Sequence, residues 1–198
     1  MAQAGFCFHV LPADVDESFD EGLKVLDAAR QLAERKVRAA ANLAARDYPD
    51  EAHWIIGGDT LVVLGPDPTP GGPNPIYLGK PRDEQHAMEM LEMLSGIEHR
   101  VVTGVSVLRQ DVPGQTNECE KLSAAEVTFV KMRTISQAER EAYVASGEWK
   151  GKAGGYAIQE SADAFVTKLR GGGFDNVVGL PVQLTKSLLQ KMGWNQED

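Results

Sequence analysis

The sequence has few cysteines, no long apolar run and no excess of positive charge. Its two cysteines, Cys7 and Cys119, lie far apart and outside any CxxC motif, which argues against a zinc site and a disulfide framework. No stretch approaches the roughly 20 apolar residues of a membrane helix, and no signal peptide is visible. We therefore expect a cytoplasmic protein without a membrane partner. The net charge of −9 also argues against a nucleic-acid polymer as partner.

What the sequence does contain is the alternation of strand and helix patterns found in α/β enzymes. The 198 residues, 42% of them hydrophobic, are enough for one domain over residues 1–198. Apolar spacing predicts one long helix or two shorter ones ending at Asp47. It also predicts a buried strand pair over 53–64, broken at Gly57–Asp59, and a strand at 76–79 that returns from it in a hairpin around a Pro/Gly-rich loop. The remaining expected strands are 6–11, 100–108, 126–132 and 164–169, and the remaining helices are 82–94, 136–146 and 181–192.

Several well-known catalytic motifs are absent. Gly79 and Lys80 are followed by Pro81 where a P-loop needs Ser or Thr, and neither a nucleophile elbow nor a dinucleotide fingerprint is present. The four histidines have no zinc-ligand spacing, and His99 is interpreted as a hydrogen-bonded structural residue. Gly104 interrupts a strand, as glycine does where another group approaches the backbone.

Scattered acids and lysines beside glycines are the remaining candidates for chemistry. Asp59 follows two glycines inside an apolar strand, where a buried carboxylate needs a metal, a basic partner or a turn to satisfy it. Lys80 would come near Asp59 if the hairpin forms, although it is also compatible with an ordinary surface lysine. Glu17 closes an acidic turn that is either a solvated face or the source of one metal-binding carboxylate.

The segment GKAGGYAIQE combines charge, small residues and an amide. Lys152 supplies a positive charge, the glycines allow close backbone approach, and Gln159 can both donate and accept hydrogen bonds. This combination suits an anionic ligand that carries a hydrogen-bonding ring. Together with the acids and the other lysines, it favours a phosphate ligand bound with a metal ion.

Five segments in order resemble the Maf family of nucleotide pyrophosphatases over residues 1–192. They are GGDT, LGKPRD, MLSGIEHRVVTGV, KAGGYAIQ and NVVGLP. The resemblance implies an α/β fold with an elongated mixed sheet flanked by helices, and two lobes with a cleft between them. It also implies hydrolysis of nucleoside triphosphates to the monophosphate and pyrophosphate with a divalent cation, Mg²⁺ or Mn²⁺, and a homodimer.

KAGGYAIQ resembles the family branch that acts on dTTP and UTP, and a different segment is expected in the branch that acts on 7-methyl-GTP. The alternative implied by the family is a nucleotide-binding regulator of cell division with little or no catalysis. The family's first strand and its S-x-S-P-R-R phosphate loop are not matched in this chain. We expect the true start to lie upstream of Met1.

The resemblance also assigns roles to single residues. Asp59 matches the catalytic aspartate, as metal ligand or as general base, and Glu17 matches a second metal-site carboxylate. Lys36 and Lys80 match phosphate-binding lysines. Gln159 matches a contact to the base or to another part of the substrate, and Lys152 shapes the same pocket.

Overall fold

A computed structural model describes residues 8–20, 22–111 and 120–195. Its helices are α1 (Val25–Asp47), α2 (Glu84–Leu94), α3 (Gln137–Ser146), α4 (Phe174–Val178) and α5 (Val182–Lys191). Its strands are β1 (His53–Leu64), β2 (Ile76–Leu78), β3 (Glu98–Gln110), β4 (Glu120–Met132) and β5 (Val166–Gly171). The predicted α/β class is therefore confirmed.

The five strands form one open sheet in the order β2-β1-β3-β4-β5. The resemblance led us to expect a mixed sheet, but each pairing between the described strands is antiparallel. The expected hairpin is present, since Val62 pairs with Leu78 across the Pro/Gly-rich loop. Among the described strands, β1, β3 and β4 are long and central, whereas the two outer strands are short.

Two strand predictions need correction. The break expected at Gly57–Asp59 is not present. Strand β1 is continuous there, because these three residues pair with Ser106, Val105 and Gly104 of β3. The strand expected at 6–11 is not formed by residues 8–11, and the rest of that segment, like Cys7 and Cys119, lies outside the described residues.

Helices cover both faces of the sheet. Helix α1 packs on β1 and β3 with a stripe of alanine, valine and leucine side chains, and α5 packs on the opposite face against Val105 and Val107. Helices α2 and α3 form a third cluster at the end of β1, around Leu91, Leu94 and Met132. The predicted capping box of Ser136 with Glu139 begins α3. A cleft opens beside α1, and it is lined by residues of α1, of the β1–β2 hairpin and of the segment 151–159.

No helix within the described ranges is both long enough and apolar enough to span a membrane.

Candidate active site

The cleft has a volume of about 480 Å³ and brings all six predicted site residues together. They come from four separate parts of the chain: the turn before α1, α1 itself, the β1–β2 hairpin with the residues after it, and the segment 151–159. The six are Glu17, Lys36, Asp59, Lys80, Lys152 and Gln159. The sequence motifs, up to 142 positions apart (159 − 17), therefore converge on one site.

Asp59 lies at the inner end of the cleft because two glycines allow α1 to approach the sheet beside it. A Cβ atom on Gly57 would lie 2.9 Å from the backbone nitrogen of Val37, and one on Gly104 would overlap the Ala29 carbonyl. Gly57 is on the same face of β1 as Asp59, and Gly104 is its cross-strand partner on β3. The predicted close approach at Gly104 is thus present, and the approaching group is the backbone of α1.

Lys36 links the two carboxylates of the cleft. Its ammonium group donates a hydrogen bond to Asp59 and lies 3.3 Å from the carboxylate of Glu17. Lys80 approaches the same Glu17 carboxylate, with nitrogen–oxygen distances of 3.2 and 3.4 Å. The side chain of Asp59 is 10% exposed, whereas that of Glu17 is 48% exposed. Two acids and two bases therefore form a neutral cluster that is buried at Asp59 and open at Glu17.

Burial and ion pairing shift the pKa values of this cluster in different directions. Burial raises the pKa of Asp59, and the contact with Lys36 offsets only part of that effect. Burial acts against the charged form of Lys36 too, but Asp59 and Glu17 outweigh it and raise the pKa of Lys36. Burial also opposes ionisation of Glu17, yet Lys80 and Lys36 hold its pKa below the ordinary value. Lys36 is therefore charged in this cluster, because an ammonium between two carboxylates stays protonated.

The segment 151–159 forms the wall opposite α1. Lys152 lies 3.7 Å from Glu160, and about a third of each side chain is exposed, so this lysine is accessible to a ligand. Gln159 is exposed at the rim. Tyr156, which belongs to this wall and lines the cleft, is buried. This wall therefore offers a positive charge and an amide to whatever occupies the cleft.

The sequence analysis did not identify the aromatic residues of the lining. Phe19 and Tyr77 meet edge to face with ring centroids 4.8 Å apart, which gives the cleft an aromatic side. The two residues lie 58 positions apart in the sequence (77 − 19), so no local pattern predicts their contact. Only the position of Phe19, two residues after Glu17, could have suggested it.

A chain of hydrogen bonds fixes the floor of the cleft. The hydroxyl of Thr60 lies 2.9 Å from that of Thr103, and Thr103 donates to the carbonyl of Asn176 at 2.8 Å. Thr103 and Asn176 are fully buried. This chain connects β1 with α4 and so positions Val177 and Val178, which line the cleft.

The sequence of this chain matches a known protein family. The pattern of the family described as "Maf-like protein" matches residues 1–192. The chain belongs to the Maf-like family. The predicted membership is therefore confirmed.

Relatives with assigned names are similar over most of their length. A protein of Zymomonas mobilis is 40% identical over 185 residues, which cover 93% of this chain and 80% of that protein. One from Hyphomonas neptunium is 40% identical over 187 residues, covering 94% and 85%, and one from Pelotomaculum thermopropionicum is 37% identical over 195 residues, covering 98% and 91%. Each is named dTTP/UTP pyrophosphatase, which agrees with the enzyme class that we predicted for this Maf-like chain.

The carboxylates of this Maf-like cleft fit a divalent cation that arrives with a phosphate ligand. Within the described ranges, no three His, Cys, Asp or Glu side chains come together as a metal site. Mg²⁺ is commonly held by one or two carboxylates together with the phosphates of a substrate. Glu17 and Asp59, which both contact the Lys36 ammonium, match that smaller donor set.

Proposed function

We propose that this chain hydrolyses dTTP and UTP to the nucleoside monophosphate and pyrophosphate, with a divalent cation such as Mg²⁺ or Mn²⁺. The observation that carries the proposal is the convergence of two carboxylates, three lysines and one glutamine on a single cleft. The names of the relatives support the nucleotide class. The proposed substrate is therefore a pyrimidine nucleoside triphosphate.

The reaction requires attack of a water oxygen on the α-phosphorus while the bond to the β-phosphate oxygen breaks. Lys36 and Lys80 would neutralise the phosphate charge, including the charge that develops on the departing pyrophosphate. The cation, held by Glu17 and, where it acts as metal ligand, by Asp59, would supply Lewis-acid stabilisation of the same oxygens. Gln159 would contact the pyrimidine edge, where a mismatched hydrogen-bonding pattern leaves a polar group unpaired.

Asp59 is the residue on which the reaction depends most in this scheme. Its carboxylate would either accept the proton of the attacking water or hold the cation and orient the water, because a metal-bound carboxylate is a poor proton acceptor. Its burial at the inner end of the cleft supports both roles.

Homodimer formation remains a prediction of the family resemblance, and a cytoplasmic location remains a prediction of the composition.

The test is pyrophosphate release from dTTP, UTP, CTP, GTP and 7-methyl-GTP, with Mg²⁺, Mn²⁺ or a chelator. We expect metal-dependent release from dTTP and UTP, and a loss of about 100-fold or more in kcat for Asp59→Asn. Asp163→Asn is the matched control, because Asp163 is an exposed carboxylate outside the cleft lining. If the folded chain released pyrophosphate from none of the five nucleotides, the enzymatic proposal would be wrong. Nucleotide binding without release would instead favour the regulatory alternative.

A further inference from the structure

A buried hydrogen bond connects the sheet with the wall segment of the cleft, and none of the roles described above uses it. His99, the second residue of β3, is 2% exposed, and its Nε2 lies 2.9 Å from the hydroxyl oxygen of Tyr156. The two rings meet edge to face, with centroids 5.6 Å apart. Tyr156 stands between Lys152 and Gln159 in the segment 151–159. The bond therefore joins the central sheet to the middle of that segment.

The segment needs such a connection because little regular structure holds it. It contains one three-residue 3₁₀ turn, and all three of its glycines adopt the left-handed conformation that is readily available only to glycine, with φ near +70°. These are Gly151, Gly154 and Gly155. A glycine-rich backbone has many alternative conformations, so its shape in the folded protein depends on tertiary contacts.

Three hydrogen bonds to distant residues supply these contacts. The amide of Gly154 donates to the carbonyl of Gly79 at 3.0 Å, and the amide of Ala157 donates to the hydroxyl of Tyr143 at 3.1 Å. The third is the bond between His99 and Tyr156. It lies between the other two contacts along the segment and connects the segment to a central strand of the sheet.

Because the His99 ring is buried, it depends on the hydroxyl of Tyr156 for hydrogen bonding. Burial lowers the pKa of His99 to about 4, so the ring is neutral at pH 7 and offers one donor and one acceptor. Within the part of the chain that the structure describes, its Nδ1 atom has no hydrogen-bond partner. The hydroxyl of Tyr156 is thus the polar contact of the ring, and losing it would leave a buried imidazole without compensation.

We propose that His99 is a positioning residue that acts through Tyr156 to fix segment 151–159, so that Lys152 and Gln159 face the nucleoside part of a pyrimidine nucleotide. This inference rests on the proposed function. The phosphate end of the same ligand would be held from elsewhere, by Lys36 on α1 and by Lys80 after β2. Loosening the segment should therefore weaken recognition of the nucleoside and leave recognition of pyrophosphate unchanged.

Three variants and one control test this separation. Tyr156→Phe removes one hydroxyl, His99→Met removes the imidazole, and His99→Gln keeps a polar group near the position of Nε2. The control, Ser106→Ala, removes a different hydrogen bond on β3, the part-buried 3.0 Å contact between the Ser106 and Ser123 hydroxyls, which lies outside the cleft lining. It therefore reports what the loss of another side-chain hydrogen bond on this strand would do.

The first measurement is amide hydrogen exchange over residues 151–159, which does not depend on catalysis. The second is the affinity for thymidine monophosphate by calorimetry, beside inhibition by pyrophosphate. For Tyr156→Phe and His99→Met we expect faster exchange in the segment and roughly tenfold weaker binding of thymidine monophosphate, the equivalent of about one hydrogen bond. Pyrophosphate inhibition should stay within about twofold, and His99→Gln should restore much of the thymidine monophosphate affinity. Ser106→Ala should change neither affinity.

Two results would overturn the inference. One is unchanged exchange and unchanged thymidine monophosphate affinity in folded Tyr156→Phe. The other is an equal loss of both affinities, which would indicate general destabilisation. If the unmodified chain bound no nucleotide at all, the proposed function would fail, and the exchange data alone would then decide whether His99 fixes the segment.

Discussion

At the scale of single residues, the most informative contact is the one between Lys36 and Asp59. The carboxylate is nearly buried, and its partner is the ammonium that also contacts Glu17. An isolated charge at this depth would be costly, so the lysine is what allows a carboxylate to remain ionised there. The sequence interpretation that Asp59 needs a metal or basic partner is consistent with this pairing.

Removing that lysine should raise the pKa of Asp59 further. In Lys36→Met, burial would act without its main opposing charge, so the carboxyl group would lose its proton only at higher pH. The measurement is a ¹³C NMR titration of the Asp59 carboxyl carbon in metal-free protein. Lys121→Met is the matched control, because it removes a comparable ion pair between β4 and Glu34 of α1 outside the cleft. An unshifted Asp59 titration in Lys36→Met would show that the ion pair does not set its charge state.

At the scale of elements, the position of α1 depends on the absence of side chains beneath it. A Cβ atom on Gly104 would overlap the carbonyl of Ala29 and lie 2.8 Å from the backbone nitrogen of Arg30. Helix backbone cannot move locally, as a flexible side chain could. The helix must therefore shift as a unit if this glycine is replaced.

Gly104→Ala should consequently reduce the free energy of unfolding by about 1–3 kcal/mol, the usual penalty for overpacking. Urea unfolding followed by circular dichroism would measure it. Gly79→Ala serves as the control, because a Cβ atom there would meet nothing within 4 Å, and we expect a change within about 0.5 kcal/mol. Equal stability of the two variants would contradict the close packing described for α1.

Elements differ in how far local sequence predicts them. Helix α3 could be predicted with its capping box, because Ser136 and Glu139 lie three residues apart. The break expected at Gly57–Asp59 was wrong because glycine was interpreted as ending a strand. In the structure Gly57 lies inside a strand and is required because α1 approaches it closely. The nearest residue of α1, Val37, lies 20 positions earlier in the chain. The hydrogen bonds that link Thr60, Thr103 and Asn176 could not be predicted either, because these residues lie far apart in the sequence.

At the scale of the whole molecule, acid stability should depend on His99. Its pKa falls from 6.5 to about 4 on folding because it is buried. Between these pH values the unfolded chain binds a proton that the folded chain does not, so this contribution to stability is complete above pH 6.5 and is lost as pH falls towards 4. The loss amounts to about 3 kcal/mol.

Urea unfolding at a series of pH values between 7 and 4 would measure this dependence. His99→Gln should show a shallower fall in unfolding free energy than the unmodified protein, whatever its absolute stability. His9→Gln should keep the steep fall, because His9 is exposed. Parallel curves for the unmodified protein and His99→Gln would contradict the role of His99.

The cleft as a whole could be anticipated only through the family resemblance. Local patterns identified Asp59 and Lys80 as candidates, but Glu17 and Lys80, which meet at 3.2 Å, are separated by 63 positions. Pairing at that separation is set by the strand order and by the packing of α1, which composition and periodicity do not encode. The segment GKAGGYAIQE was predicted to bind a ligand, whereas its connection to His99 became visible only in three dimensions.

The contact between Gly104 and α1 has a consequence for sequence divergence. Gly104 pairs with Asp59 across the sheet and packs under Ala29, and Ala29 precedes Lys36 by two helical turns, roughly 10 Å. The strand pairing, the contact of Gly104 with α1 and the helical spacing together set the position of the Lys36 ammonium relative to the Asp59 carboxylate. A lineage that keeps this charged pair must therefore keep glycine at 57 and 104, since a side chain at either position would displace α1 and its ammonium, whereas exposed positions outside the cleft are free to vary.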